Sequence, residues 1–152
     1  MQIEEKVVAE EQHALINYIG PVEDMGDLIN EIAAWIEDNA IQVAGSPFAI
    51  YYTSPKDDAE KVTYDIGFPV LGEIQGTSRI VIATIPEHTV ISAKYKGPYS
   101  DLPDVYKAMV EFVMINKYDV IGSPKEIYYN SPEDVSVNEL VTEVQFPVIK
   151  MG

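Results

Sequence analysis

The sequence predicts an α+β fold: two copies of a strand-helix-strand-strand module, related by pseudo-twofold symmetry. Each copy is an antiparallel sheet with its helix on the outer face. Three observations predict it. The chain of 152 residues repeats itself at an offset of 77. Each copy holds one apolar stripe of helical period between β-rich runs. An apolar content of 47 % is enough for a packed core despite a net charge of −15.

The repeat is ordered and punctuated. Tyr18, Gly20 and Pro21 recur as Tyr95, Gly97 and Pro98. Gly45-Ser46-Pro47 recurs as Gly122-Ser123-Pro124, and Ile50-Tyr51-Tyr52 as Ile127-Tyr128-Tyr129. Of the 40 positions from 18 to 57, 16 are identical at this offset. One extra residue later moves the offset to 78, where Phe68-Pro69-Val70 meets Phe146-Pro147-Val148 and Asp65 meets Glu143. The chain is therefore expected to form a single domain, 1–152. Module one covers about 1–76 and module two about 77–152.

Each element follows in order. Strands are expected at His13–Tyr18 and Thr89–Tyr95, each ended by Gly-Pro. Helices follow at Met25–Asn39 and Leu102–Asn116. Their apolar residues (Met25, Leu28, Ile29, Ile32, Trp35 and Ile36; Leu102, Val105, Tyr106, Met109, Phe112 and Val113) keep the i, i+3, i+4, i+7 spacing of a core-facing stripe. Pro103 sits in a first helical turn, where proline is tolerated. Gly-Ser-Pro then turns the chain. The runs Phe48–Thr53 and Val62–Val70, and likewise Lys125–Asn130 and Glu139–Val148, read as hairpins across acidic loops. Arg79–Ile85 is a further β-run, and Ile3–Val8 is its counterpart.

Composition excludes several functions. So acidic a chain repels phosphate, which argues against direct binding of nucleic acid, and it disfavours anionic membranes. There is no cysteine, hence no disulfide, thiolate nucleophile or Cys-zinc site, which fits a cytoplasmic protein. No apolar run is long enough to span a bilayer. His13 and His88 lack ligand-spaced partners, so neither a metal nor another cofactor is expected.

Strand alternation selects the candidate site. In the last strands Ile66, Phe68 and Val70, like Val144, Phe146 and Val148, face the helix. Asp65, Glu143 and Gln145 fall on the other face. If Ile50, Tyr52, Ile127 and Tyr129 face the helices, Tyr51 and Tyr128 point toward the carboxylates. Asn17 and Ser92 join them if Ile16 and Ala93 are core. Two such faces could line a concave groove for a small molecule. A carboxylate among tyrosine rings suits a lipophilic cation, each ring adding roughly 0.5–2 kcal/mol. Alternation alone leaves open whether Glu143 and Asp65 face a groove or solvent. A buried Glu143 without ligand is expected to have a raised pKa.

The duplicated Gly-Pro, helix, Gly-x-Pro, Ile-Tyr-Tyr-x-x-Pro pattern, ending in Thr142-Glu143-Val144-Gln145-Phe146-Pro147-Val148, resembles the GyrI-like small-molecule-binding superfamily. That superfamily includes the effector-binding domains of multidrug-sensing transcription activators and the DNA gyrase inhibitory protein. The resemblance covers essentially the whole chain and implies a stand-alone member with a ligand cleft. It implies that Glu143 is the counter-charge for a lipophilic aromatic cation, with Tyr51 and Tyr128 as aromatic walls. It also implies two alternatives. One is a hydrolase of electrophilic cyclopropane-type toxins with Glu143 as general base. The other is an inhibitor of a basic-surfaced protein partner such as DNA gyrase.

Overall fold

The computed structural model describes residues 1–151. Ten strands and two α-helices run in the order β1 (Ile3–Val8), β2 (Glu11–Gly20), α1 (Met25–Asp38), β3 (Gln42–Val43), β4 (Phe48–Tyr51), β5 (Val62–Leu71), β6 (Val81–Ile85), β7 (His88–Lys96), α2 (Leu102–Ile115), β8 (Tyr118–Val120), β9 (Lys125–Tyr128) and β10 (Val141–Lys150). The chain divides into two compact units, residues 10–86 and residues 1–9 with 87–152. The division falls ten residues beyond the module boundary that the repeat suggests. It also assigns β1 to the later unit, because β1 pairs with β7 from Ile3↔Ala93 to Val8↔His88.

In the unit of residues 10–86 the strands run β4-β5-β2-β6, all antiparallel, and β3 also pairs with β5. Helix α1 buries Leu28, Ile32 and Ile36, the i, i+4, i+8 members of its stripe. It packs on β2 and β5, where Ile16, Tyr64 and Ile66 are buried. Trp35, expected in the core, is only half-buried. In the other unit the order is β1-β7-β10-β9, with β8 also on β10. Helix α2 buries Leu102, Val105, Met109 and Val113 against Ile91, Ala93, Val144, Phe146 and Val148. Fully burying one such side chain contributes about 1.5–3 kcal/mol, so these stripes set where each helix lies.

The repeated residues have physical reasons that are the same in each unit. The Tyr18 hydroxyl donates to Asp24, and the Tyr95 hydroxyl to Asp101 Oδ2 at 2.5 Å. Each bond ties the end of a first strand to the start of its helix. Asn39 and Asn116 turn back on their helices, Nδ2 donating to the carbonyls of Trp35 at 2.8 Å and Phe112 at 2.9 Å. In the Gly-Ser-Pro turn a Cβ on Gly122 would lie 2.9 Å from Pro147 Cγ, and one on Gly45 3.1 Å from Pro69 Cγ. The identical glycines and prolines therefore record close packing of turn on strand, not ligand chemistry.

Candidate functional site

Cross-strand register decides which face each side chain takes, since a one-residue slip reverses the whole strand. Ile50 lies opposite Asp65, and Ile127 opposite Glu143. Both isoleucines are therefore on the face of the acids, not on the helix face. Tyr52 and Tyr129, two residues further on, share that face. Tyr51 and Tyr128 lie opposite Tyr64 and Thr142, on the helix side. The expectation that Tyr51 and Tyr128 point toward Asp65 and Glu143 is thus reversed. It took Ile50 and Ile127 as markers of the core, but the second face also buries apolar residues, Phe48 at 1 % and Leu15 at 8 % exposure.

Glu143 is wholly buried and surrounded by donors. Lys6 Nζ lies 2.6 Å from Oε2, Ser92 Oγ 2.8 Å and Gln145 Nε2 2.7 Å. The Tyr129 hydroxyl donates to Oε1. Lys94 stands over the Tyr129 ring, 4.7 Å from its centroid. A cavity of about 240 Å³ beside the cluster is lined by Gln2, Glu4, Lys6, Ser92, Lys94 and Glu143. Its lining is polar, and its two acids balance its two amines. Burial pushes the Glu143 pKa up, but the bonds from Lys6, Tyr129, Gln145 and Ser92 outweigh that and hold it at about 2. This corrects the expected upward shift. The strand order brings Lys6 to Glu143 on β1, from the other end of the chain, a pairing that strand alternation does not reveal. Ser92 and Gln145 do meet Glu143. Asn17 and Asp65 meet each other in the other unit, Nδ2 to Oδ1 at 2.8 Å, with the Tyr52 hydroxyl on Oδ2 at 2.5 Å.

A different acid has the environment expected of Glu143. Glu126, on β9, lies opposite Val144 and so faces α2. It is 8 % exposed. The Tyr106 hydroxyl of α2 donates to Oε2 at 2.5 Å, and the Tyr128 hydroxyl to Oε1 at 2.9 Å. The Tyr99 ring meets the Tyr128 ring edge-on at 6.1 Å, and Tyr106 packs on Phe146 at 5.7 Å. Among the described residues no Lys, Arg or His forms an ion pair with Glu126. Burial pushes its pKa up, and the two tyrosine bonds do not offset this. Tyr99, 38 % exposed, connects the group to the surface.

Sequence reasoning missed Glu126, although a signal was present. At the 77-residue offset Tyr99, Tyr106 and Glu126 meet Val22, Ile29 and Ala49. The later unit departs from its own repeat at three positions that converge in space.

Residues 1–149 match the profile of the GyrI-like small molecule binding domain. The chain belongs to the GyrI-like family. Among GyrI-like and related folds of known structure, the EcmrR C-terminal domain has a TM-score of 0.88 at 23 % identity, over 99 % of this chain and 98 % of that one. In the EcmrR–DNA complex the same match spans 58 % of the EcmrR chain. A hydrolase from Listeria innocua matches with a TM-score of 0.77 at 14 % identity, over 97 % of this chain and 92 % of that one. SAV2435, solved bound to tetraphenylphosphonium, matches at 0.65 and 10 % identity, over 98 % and 94 %. Identities this low show a shared fold. No curated protein sequence matches this GyrI-like chain. Among its described residues no helix is long and apolar enough to cross a membrane.

Proposed function

We propose that the chain binds lipophilic organic cations, with Glu126 as the counter-charge and Tyr99, Tyr106 and Tyr128 as the surrounding aromatic groups. The observation that carries this is a carboxylate beneath aromatic rings that receives only neutral donors. Ionising it there is unfavourable, as its raised pKa records, and a cation at the site offsets that cost. Each ring face adds roughly 0.5–2 kcal/mol of cation–π attraction once water is excluded. Glu143 is less suited to the role, since Lys6 already meets its charge at 2.6 Å. The tetraphenylphosphonium bound by SAV2435 is a ligand of the expected class.

The test compares tetraphenylphosphonium with triphenylphosphine oxide, a neutral molecule of similar shape, by calorimetric titration of wild type and Glu126→Gln. Binding of the cation alone, weakened at least about tenfold in the variant, supports the proposal. Equal binding of cation and neutral analogue, or no effect of the substitution, rejects it.

One observation favours a second reading, a hydrolase. A buried carboxyl with a raised pKa and tyrosine hydroxyls in hydrogen-bond reach is equipped for general acid–base work. Glu143, held at about 2, is a poor general base. Incubation with a cyclopropane-bearing alkylator would then give ring-opened product in wild type and none above buffer in Glu126→Gln.

A further inference from the structure

We propose that the unit of residues 10–86 carries a second cation site, on Asp65, which takes an organic ammonium or phosphonium ion in the position that a lysine fills in the other unit.

Asp65 lies on β5 and is 8 % exposed. Its two bonds come from neutral groups, the Asn17 amide at 2.8 Å and the Tyr52 hydroxyl at 2.5 Å. No Lys, Arg or His forms an ion pair with it among the described residues. A carboxylate has about four lone-pair positions, so acceptor capacity is left over. A charge taken out of water without an opposite charge is unfavourable, and a cation offsets that cost.

Glu143 provides the comparison within the same chain. It aligns with Asp65 at the 78-residue offset, and Tyr129 bonds to it as Tyr52 bonds to Asp65. To that arrangement the unit of Glu143 adds an ammonium, Lys6 Nζ at 2.6 Å. Lys6 lies opposite Val90 on β7. The repeat aligns Val90 with His13, and His13 lies opposite Ala83 on β6. Alanine therefore stands where the lysine would be. One acid has a cation supplied by the chain, and its counterpart does not.

The surroundings fit an incoming cation. Residues 10–86 hold 13 Asp and Glu against 3 Lys and Arg, a field that concentrates cations near this unit. Of the three basic residues, Arg79 is engaged by Glu31 at 2.6 and 3.1 Å. Asn17 and Tyr52 are exposed, so the carboxylate lies just beneath the surface. Half-buried Ile50, opposite Asp65, and the Tyr52 ring offer apolar surface for the body of an ion whose charge rests on Asp65. The site shares no residue with the Glu126 site and stands or falls separately from it.

Titration calorimetry with tetraphenylphosphonium and with benzyltrimethylammonium separates the two sites. We expect wild type to bind two equivalents of at least one probe. Asp65→Asn loses one equivalent and keeps the one that Glu126→Gln removes. Ala83→Lys places an ammonium beside Asp65 and weakens the same equivalent at least about tenfold, while circular dichroism reports an intact fold. Binding of both probes to Asp65→Asn and Ala83→Lys as to wild type overturns the proposal. If Glu126→Gln alone abolishes a single equivalent, the Asp65 site is rejected and the Glu126 site stands. If Asp65→Asn alone does so, the reverse holds.

Discussion

At the scale of the residue, the pKa values of two buried glutamates are shifted in opposite directions. Glu143 is held at about 2, against an ordinary value of 4.5. A depressed carboxyl contributes stability that is present above its ordinary pKa and lost as pH falls through the folded value. Urea unfolding between pH 4.5 and 2 should therefore lose about 3 kcal/mol from this group in wild type, and Glu143→Gln should flatten that part of the profile. Glu126 has the opposite sign. Its pKa is raised by burial, so its ionisation destabilises the fold as pH rises through that value. Glu126→Gln should raise the thermal midpoint of the ligand-free protein at neutral pH. A ligand cation should bind the ionised form, so affinity should fall as pH drops through the raised pKa. The sequence revealed the alternation of faces but not which face was which. That depended on the pairings Ile50↔Asp65 and Ile127↔Glu143, which belong to the hairpins as wholes.

At the scale of the element, the sequence was most legible where a repeat and a period coincided. Both helices begin at the expected residue and end one residue early, and eight strands lie where β-rich runs were seen. The two that were missed, β3 and β8, have only two and three residues, too few for a period. They follow the second residue after each helix, where the chain reverses. Ala40 and Lys117 have φ of 51° and 60°, the left-handed conformation that glycine adopts without strain. Ala40→Gly and Lys117→Gly should each stabilise the chain by about 1 kcal/mol in chemical denaturation. A loss would mean that the side chains contribute more than the backbone strain they impose. The equivalence of β1 and β6 was legible, but not that β1 pairs within the later unit. Its pairing with β7 runs from Ile3↔Ala93 to Val8↔His88, residues eighty or more apart, and the Lys6–Glu143 ion pair depends on it.

At the scale of the molecule, a charge of −15 acts on any cation before contact. Stopped-flow association of a cationic dye should slow as salt rises from 20 to 200 mM NaCl, roughly, because the Debye length shortens from about 20 to 7 Å. Dissociation from a buried carboxylate should change little. A dissociation rate that carries the salt dependence would place the bound ion at the surface. The charge is also uneven, with a net −10 on residues 10–86 and −5 on the remainder. The less acidic unit nevertheless holds the acid with the aromatic surroundings, so local structure, more than net charge, makes the Glu126 site. The most direct test of that assignment uses a chain carrying Asp65→Asn, in which one site remains to be measured. Tetraphenylphosphonium is titrated into this protein and into its Glu126→Gln and Glu143→Gln derivatives. The account predicts that Glu126→Gln weakens binding at least about tenfold and that Glu143→Gln leaves it unchanged. Loss of binding in Glu143→Gln with full binding in Glu126→Gln would contradict it.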